Sequence, residues 1–183
     1  MKILILYWSS TKNTERVSNR IADTLKKEGK SFEIVKVEED FSCNLFDYNL
    51  VFLGTPVIEF LPHKRILSFL KEQLTFHRRE GNVKLCCPKV PGKYAVCYCT
   101  YSGPHTGKRE AIPAVLYMGQ FFEHLGFVVV GEWYTVGEFK GIEKASLQGK
   151  LGDIRGRPNE DDLLDIDNKV REVLKEVEIA NEL

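Results

Sequence analysis

The chain has 183 residues, 43% of them hydrophobic, which is enough for one domain with a full core and does not force a second. Its 26 basic and 26 acidic residues cancel, which excludes a global field drawing it to nucleic acid or to an anionic membrane and leaves room only for local patches.

The first element is KILILYW, residues 2–8, an apolar run rich in branched side chains and suited to a strand covered on both faces. At roughly seven residues it is too short to span a membrane, and no cleavage-site pattern follows it. The chain therefore reads as soluble and cytoplasmic. From Thr14 to Glu28 the apolar positions Val17, Ile21 and Leu25 recur every four residues, and Gly29 follows as a stop signal, so this segment predicts an amphipathic helix. FEIVKV (32–37) and YNLVFLG (48–54) predict the second and third strands.

Pro62 reads as the start of a helix whose inner face carries Ile66, Leu67, Leu70 and Leu74. Residues 75–92 are polar, with Gly81, Pro88, Pro91 and Gly92, and read as a loop. YAVCYCT (94–100) is the fourth strand, and its Cys97 and Cys99 alternate, so both thiols should point to one face as small buried groups. Ala111, Val115, Met118, Phe122 and Leu125 mark the next helix, ended by Gly126, and FVVVGEWYT (127–135) is the fifth strand. Residues 136–157 are Gly-rich without strong periodicity. A last helix over 160–180 carries Leu163, Ile166, Val170, Val173 and Val177, with Asn159 as its N-cap and acids in its first turn. Apolar strands alternating with helices imply an α/β domain, a doubly wound parallel sheet with helices on both faces, in one unit over 1–183. The five cysteines include an adjacent pair, Cys86 and Cys87, but no C-x-x-C and no metal-ligand spacing, so no metal site is expected.

The chemistry gathers where the strands end. In an open parallel sheet, ligands sit beyond the carboxyl ends of the strands, where strand order reverses. SSTKNT (9–14) falls there, between the first strand and the N-terminus of its helix. Free helix-end amides and the positive dipole end make an anion site, and Ser9, Ser10, Thr11, Asn13 and Thr14 add neutral donors. Such residues also serve as ordinary N-caps, so this loop by itself is ambiguous. Neither a Walker phosphate loop nor a G-x-G-x-x-G dinucleotide fingerprint is present. Two more loops reach the same edge, GTPVIEFLP (54–62) and TYSGPHTGKRE (100–110), and Val57, Ile58, Phe60 and Tyr101 offer apolar walls for a flat ligand. Three such loops together point to a planar ligand that carries a phosphate.

SSTKNTE (9–15) is similar to the phosphate loop T-x-T-G-N-T-E of the flavodoxin family, and GTPVIEF and TYSGPHTG occupy the places of its second and third flavin loops. The chain resembles that family over most of residues 1–135, while EWYTVGEF and LQGKLGDIRG resemble its larger members more than the short electron carriers. The resemblance implies a three-layer sandwich with sheet order 2-1-3-4-5 and FMN as cofactor. By it Ser9, Ser10, Thr11, Lys12, Asn13 and Thr14 hold the phosphate, and Thr55, Pro56, Val57, Ile58, Thr100, Tyr101, Ser102 and Gly103 flank the ring. His105 is the candidate catalytic residue, as a proton or hydrogen-bond donor to a quinone-like acceptor. Lys12 departs from the family's Gly, and a positive φ there would cost on the order of 1 kcal/mol. The second loop lacks the Trp often found in it, and Phe60 is its substitute.

Three functions follow as expectations. The first is an oxidoreductase passing electrons from NAD(P)H or a protein donor to a quinone, a flavin or another acceptor. The second is an electron shuttle with a redox partner protein, against which the zero net charge argues, since short flavodoxins are strongly acidic. The third is a non-catalytic FMN-binding module. Dimers and tetramers are common among the larger relatives, so a homodimer or homotetramer is open, with 136–157 as its contact surface.

Overall fold

The structure is a computed structural model that describes residues 1–39 and 41–182. Five strands form the parallel sheet: β1 (Ile3–Tyr7), β2 (Phe32–Lys36), β3 (Leu50–Ile58), β5 (Tyr94–Tyr101) and β6 (Val128–Val136), in the order β2-β1-β3-β5-β6. The two-residue strand β4 (Leu61–Pro62) pairs antiparallel with the end of β3. With β4 set aside, this is the expected 2-1-3-4-5 pattern. The edges are β2, with Glu33 and Lys36 exposed along it, and β6, whose register against β5 shifts between Ala95 and Val96.

The pleat divides the core into two layers. Leu4, Leu6, Val51, Leu53, Ala95, Cys97 and Cys99 face α2 (Lys64–Arg79) and α3 (Ile112–His124), where Ile66, Phe69, Leu70, Val115, Met118 and Phe122 meet them. Ile3, Ile5, Leu50, Phe52, Val96 and Tyr98 face the other way, onto α1 (Asn13–Lys27) and α5 (Glu160–Glu182). Val17, Ile21 and Leu25 form the inner stripe of α1, as their spacing requires. Cys97 and Cys99 share one face and are fully buried, as the alternation predicts.

Tyr98 is the largest fully buried side chain, and its hydroxyl lies 2.7 Å from Ser18 Oγ on α1. Its ring lies across Gly54 so closely that a Cβ there would sit 2.2 Å from Cζ. α5 begins with a reciprocal cap: Asp162 N–H donates to Asn159 Oδ1 at 3.0 Å, and Asn159 N–H donates to Asp162 Oδ2 at 2.8 Å. The buried Asp167 of α5 accepts from Thr24 Oγ1 at 2.6 Å and pairs with Arg20 Nε at 2.9 Å, which fixes α5 against α1.

Three expectations need correction. α2 does not end at Leu74 but continues to Arg79, because the buried His77 packs between Phe46 and Phe76 and holds the polar HRR turn helical. Pro62 is not the helix start, since it belongs to β4, and His63 caps the helix by accepting from Arg65 N–H through Nδ1. Residues 54–62 are not an open loop: β3 runs on to Ile58 and turns through Glu59 and Phe60, both at positive φ (48° and 71°), into β4. The segment 136–157 is irregular except for a short helix, α4 (Glu143–Gln148). Among the described residues no helix is long and apolar enough to cross a membrane, and no group of three or more metal-ligating side chains occurs.

Candidate functional site

β1 and β3 are neighbours paired as far as Tyr7 and Gly54, and strand order reverses between them, so the chain after β1 starts at that switch point. Trp8 N–H donates to Gly54 O at 3.1 Å, which ties the start of the loop to β3. Lys12 then adopts φ 68°, ψ 0°, the left-handed conformation a Gly would take, so the loop keeps its turn in spite of the substitution. No side chain caps α1. The amides of its first turn therefore remain directed out of the helix, at the end where the dipole is positive.

The hydroxyls around those amides divide into two sets. Thr14 is fully buried, and its Oγ1 lies 2.8 Å from Thr100 Oγ1, so these two side chains satisfy each other and link α1 to β5. Ser9 is buried as well. Ser10 and Thr11 are exposed and, with Asn13, line a cleft of about 240 Å³. Its opposite wall comes from Pro56, Val57 and Ile58 of β3, Thr100 and Tyr101 of β5, and Ser102. The Lys12 side chain is exposed and does not line it.

A second cleft of about 400 Å³ adjoins the first and shares Val57, Ile58, Tyr101, Ser102 and Phe139 with it. Glu59 and Phe60 from the β3–β4 turn form one side, and Gly103, Pro104 and His105 form the other. Phe60 and Ile58 are exposed, so this cleft presents an apolar, partly aromatic rim to solvent. Tyr101 lies at the junction, and burial raises its hydroxyl above the usual range, so it stays neutral. His105 is exposed on the rim, and its backbone N–H donates to Glu110 Oε1 at 2.8 Å. Thr55 contributes nothing to either wall: it is fully buried, accepts from His63 N–H at 2.9 Å and donates to Pro56 O, closing the β-turn segment.

Sequence reasoning missed two features here. His63 stacks on Trp8 with ring centroids 3.4 Å apart and planes within 2°, and burial, followed by Lys64 and Arg65, lowers its pKa. The pair joins the start of the phosphate-type loop to the foot of α2. The second is the strap from Gly137 to Lys140. Gly137 N–H donates to Tyr101 O and Ser102 Oγ donates to Gly137 O, both at 2.8 Å, while Asn13 Nδ2 donates to Glu138 O at 2.9 Å. Asn13 approaches so closely that a Cβ on Gly137 would sit 2.7 Å from Nδ2. The strap lines the first cleft with Gly137, Glu138, Phe139 and Lys140, and it is held through its own main-chain atoms, which leave no periodic trace. A groove of about 420 Å³ between α2 and α3, lined by Leu67, Leu74 and Tyr117, reaches this region only through Leu61 of β4.

Neither a protein-family model nor a curated protein matches the sequence. Solved structures do match the fold. An oxidised Flavodoxin 2 from Bacillus cereus superposes with a TM-score of 0.67 at 16% identity, covering 96% of this chain and 99% of that one. A Fusobacterium nucleatum flavodoxin bound to flavin mononucleotide gives 0.63 at 17% identity, covering 96% and 98%. A WrbA-like flavodoxin from Agrobacterium tumefaciens gives 0.63 at 11% identity, covering 99% and 98%. The architecture that brings these three loops together is the flavodoxin-like fold.

Proposed function

We propose that this chain binds FMN and works as a redox protein. The observation that carries the reading is the uncapped N-terminus of α1, which opens beside the exposed hydroxyls of Ser10 and Thr11. Helix-end amides with neutral hydroxyls suit a phosphate. The adjoining cleft, with Tyr101, Phe60 and Ile58, suits a planar apolar ring at the distance of one short linker. The residues present therefore fit FMN. Ser10, Thr11, Asn13 and the amides of residues 10–14 hold its phosphate, while Pro56, Val57, Ile58, Tyr101, Ser102 and Gly103 flank its ring. Ser9, Thr14, Thr55 and Thr100 act as the frame behind those groups. A bound flavin supplies one- and two-electron redox chemistry, and this chain orients the ring, keeps its inner edge dry and offers His105 at the outer rim as a proton donor.

The neutral overall charge and the apolar rim favour an oxidoreductase that takes electrons from NAD(P)H and passes them to a quinone, a flavin or a similar acceptor. A shuttle serving a redox partner protein is the second reading, favoured by the shared fold of the electron-carrier flavodoxins. We place the protein in the cytoplasm. The test is the visible spectrum of the purified protein, alone and with added FMN, followed by NADPH or NADH in the absence of other components. Rapid bleaching of the flavin absorbance supports the oxidoreductase. No bleaching, with a stable one-electron form on chemical titration, supports the shuttle. Protein that takes up no FMN overturns both.

A further inference from the structure

The strap brings charge to a cleft that the hydroxyl loop lines only with neutral side chains. Among the residues lining the first cleft, Lys140 is the cation and Glu138 the anion. Lys140 Nζ pairs with Glu138 Oε2. That same oxygen accepts from Gly156 N–H at 3.1 Å, so it keeps a partner when the ammonium turns away. The Lys140 side chain is half exposed, at 50%, and free to swing on its flexible stem. The Glu138 main chain is held at its carbonyl by Asn13 and at its N–H, which donates to Arg157 O at 2.9 Å, and the bond from Gly156 N–H keeps its carboxylate at the cleft. An anion at Ser10 and Thr11 would therefore share the cleft with a fixed carboxylate, a like-charge contact that needs a cation between the two. The other nearby cations are committed or remote. Arg16 reaches Gly156 O at 3.4 Å, Arg155 pairs with Asp153, and the Lys12 side chain lies outside the cleft.

We propose that Lys140 bridges the Glu138 carboxylate and the phosphate of a bound flavin, so that the strap adds to the hydroxyl loop in setting the preference for phosphorylated over unphosphorylated flavin. The inference rests on the FMN reading above and adds to it a specificity residue supplied from outside the three loops. Resting on Glu138, the exposed ammonium stands at the edge of the cleft. It reaches the phosphate by a side-chain rotation, with no change in the main chain.

The test is quenching of flavin fluorescence on titrating the full-length, cofactor-free protein with FMN and with riboflavin, at low and at high salt. Lys140→Met is expected to weaken FMN binding about tenfold to a hundredfold, as for loss of a charge-assisted contact, and to leave riboflavin binding unchanged. Lys140→Arg should keep the preference. Glu138→Gln, which retains an oxygen for Gly156 N–H, is expected to tighten FMN several-fold, and Lys144→Met, at an exposed lysine of α4 outside both clefts, to change neither flavin. FMN affinity that survives Lys140→Met overturns the inference, as does an equal loss of both flavins or a weakening by Glu138→Gln. If the wild-type chain binds FMN and riboflavin with the same affinity, the inference falls and the flavin reading stands. If it binds neither, both fall.

Discussion

Gly54→Ala tests whether the floor of the site is set by one close contact. The added Cβ would lie 2.2 Å from Tyr98 Cζ and 2.5 Å from its hydroxyl, more than 1 Å inside the shortest ordinary contact. Tyr98 cannot yield easily, since it is fully buried between the sheet and α1 and its hydroxyl is bonded to Ser18. Overpacking of this kind costs about 1–3 kcal/mol. Displacing the ring also strands two buried hydroxyls, at about 1–3 kcal/mol more. A loss near 4 kcal/mol is a large part of the roughly 5–15 kcal/mol that holds a domain together, and should lower Tm by about 8–16 °C. Urea unfolding followed by circular dichroism measures it. Tyr98→Leu placed in the Gly54→Ala background should recover part of the loss, giving a coupling of at least about 1 kcal/mol in the double-mutant cycle. The reasoning fails if Gly54→Ala lies within about 0.5 kcal/mol of wild type or if the two substitutions are additive.

Three further outcomes are expected. Thr14→Val alone should cost about 1–2 kcal/mol by leaving the buried Thr100 hydroxyl without its partner, whereas Thr14→Val with Thr100→Val should be nearly neutral, as read by urea denaturation. Burial is the main cause lowering the pKa of both His63 and His77, so below about pH 6.5 the unfolded chain binds protons that the folded chain resists. Stability should therefore be full above that pH and fall as pH drops through the folded-state values, and His63→Phe, which keeps the stack on Trp8, should flatten its share of the slope in pH-dependent unfolding. A thiol reagent followed by mass spectrometry should modify the exposed Cys86 first and the buried Cys97 and Cys99 only on unfolding, since burial pushes both of the latter thiols up.

The fold was legible wherever burial writes a period into the chain. KILILYW, YNLVFLG and YAVCYCT name the central strands, and the four-residue spacing of Val17, Ile21 and Leu25 names α1. Lys12 was legible through a conflict, because a loop shape that needs a positive φ could be inferred from its neighbours although Lys disfavours it. The β3–β4 turn was not legible. Its two positive-φ residues are Glu59 and Phe60, and neither is the Gly or Asn that announces such a turn. The end of α2 was hidden for a similar reason, since His77 reads as one of three polar residues in HRR yet is fully buried. Half of the site's polar shell was also out of reach. Whether a Thr faces a ligand or another Thr, as Thr14 faces Thr100, is decided by the packing of α1 against β5 and leaves no mark in either segment.

The two borders of the sheet bear on how the molecule behaves in a crowd of its own copies. A bare strand margin invites a neighbour's backbone to extend the ladder. Glu33 and Lys36 guard one margin with solvated charge, and the slipped register at the start of β6 breaks the straight line that an incoming strand would need at the other. Replacing Lys36 with valine would remove half of the first guard without touching the interior, and would turn a discrete particle into a seed for aggregation.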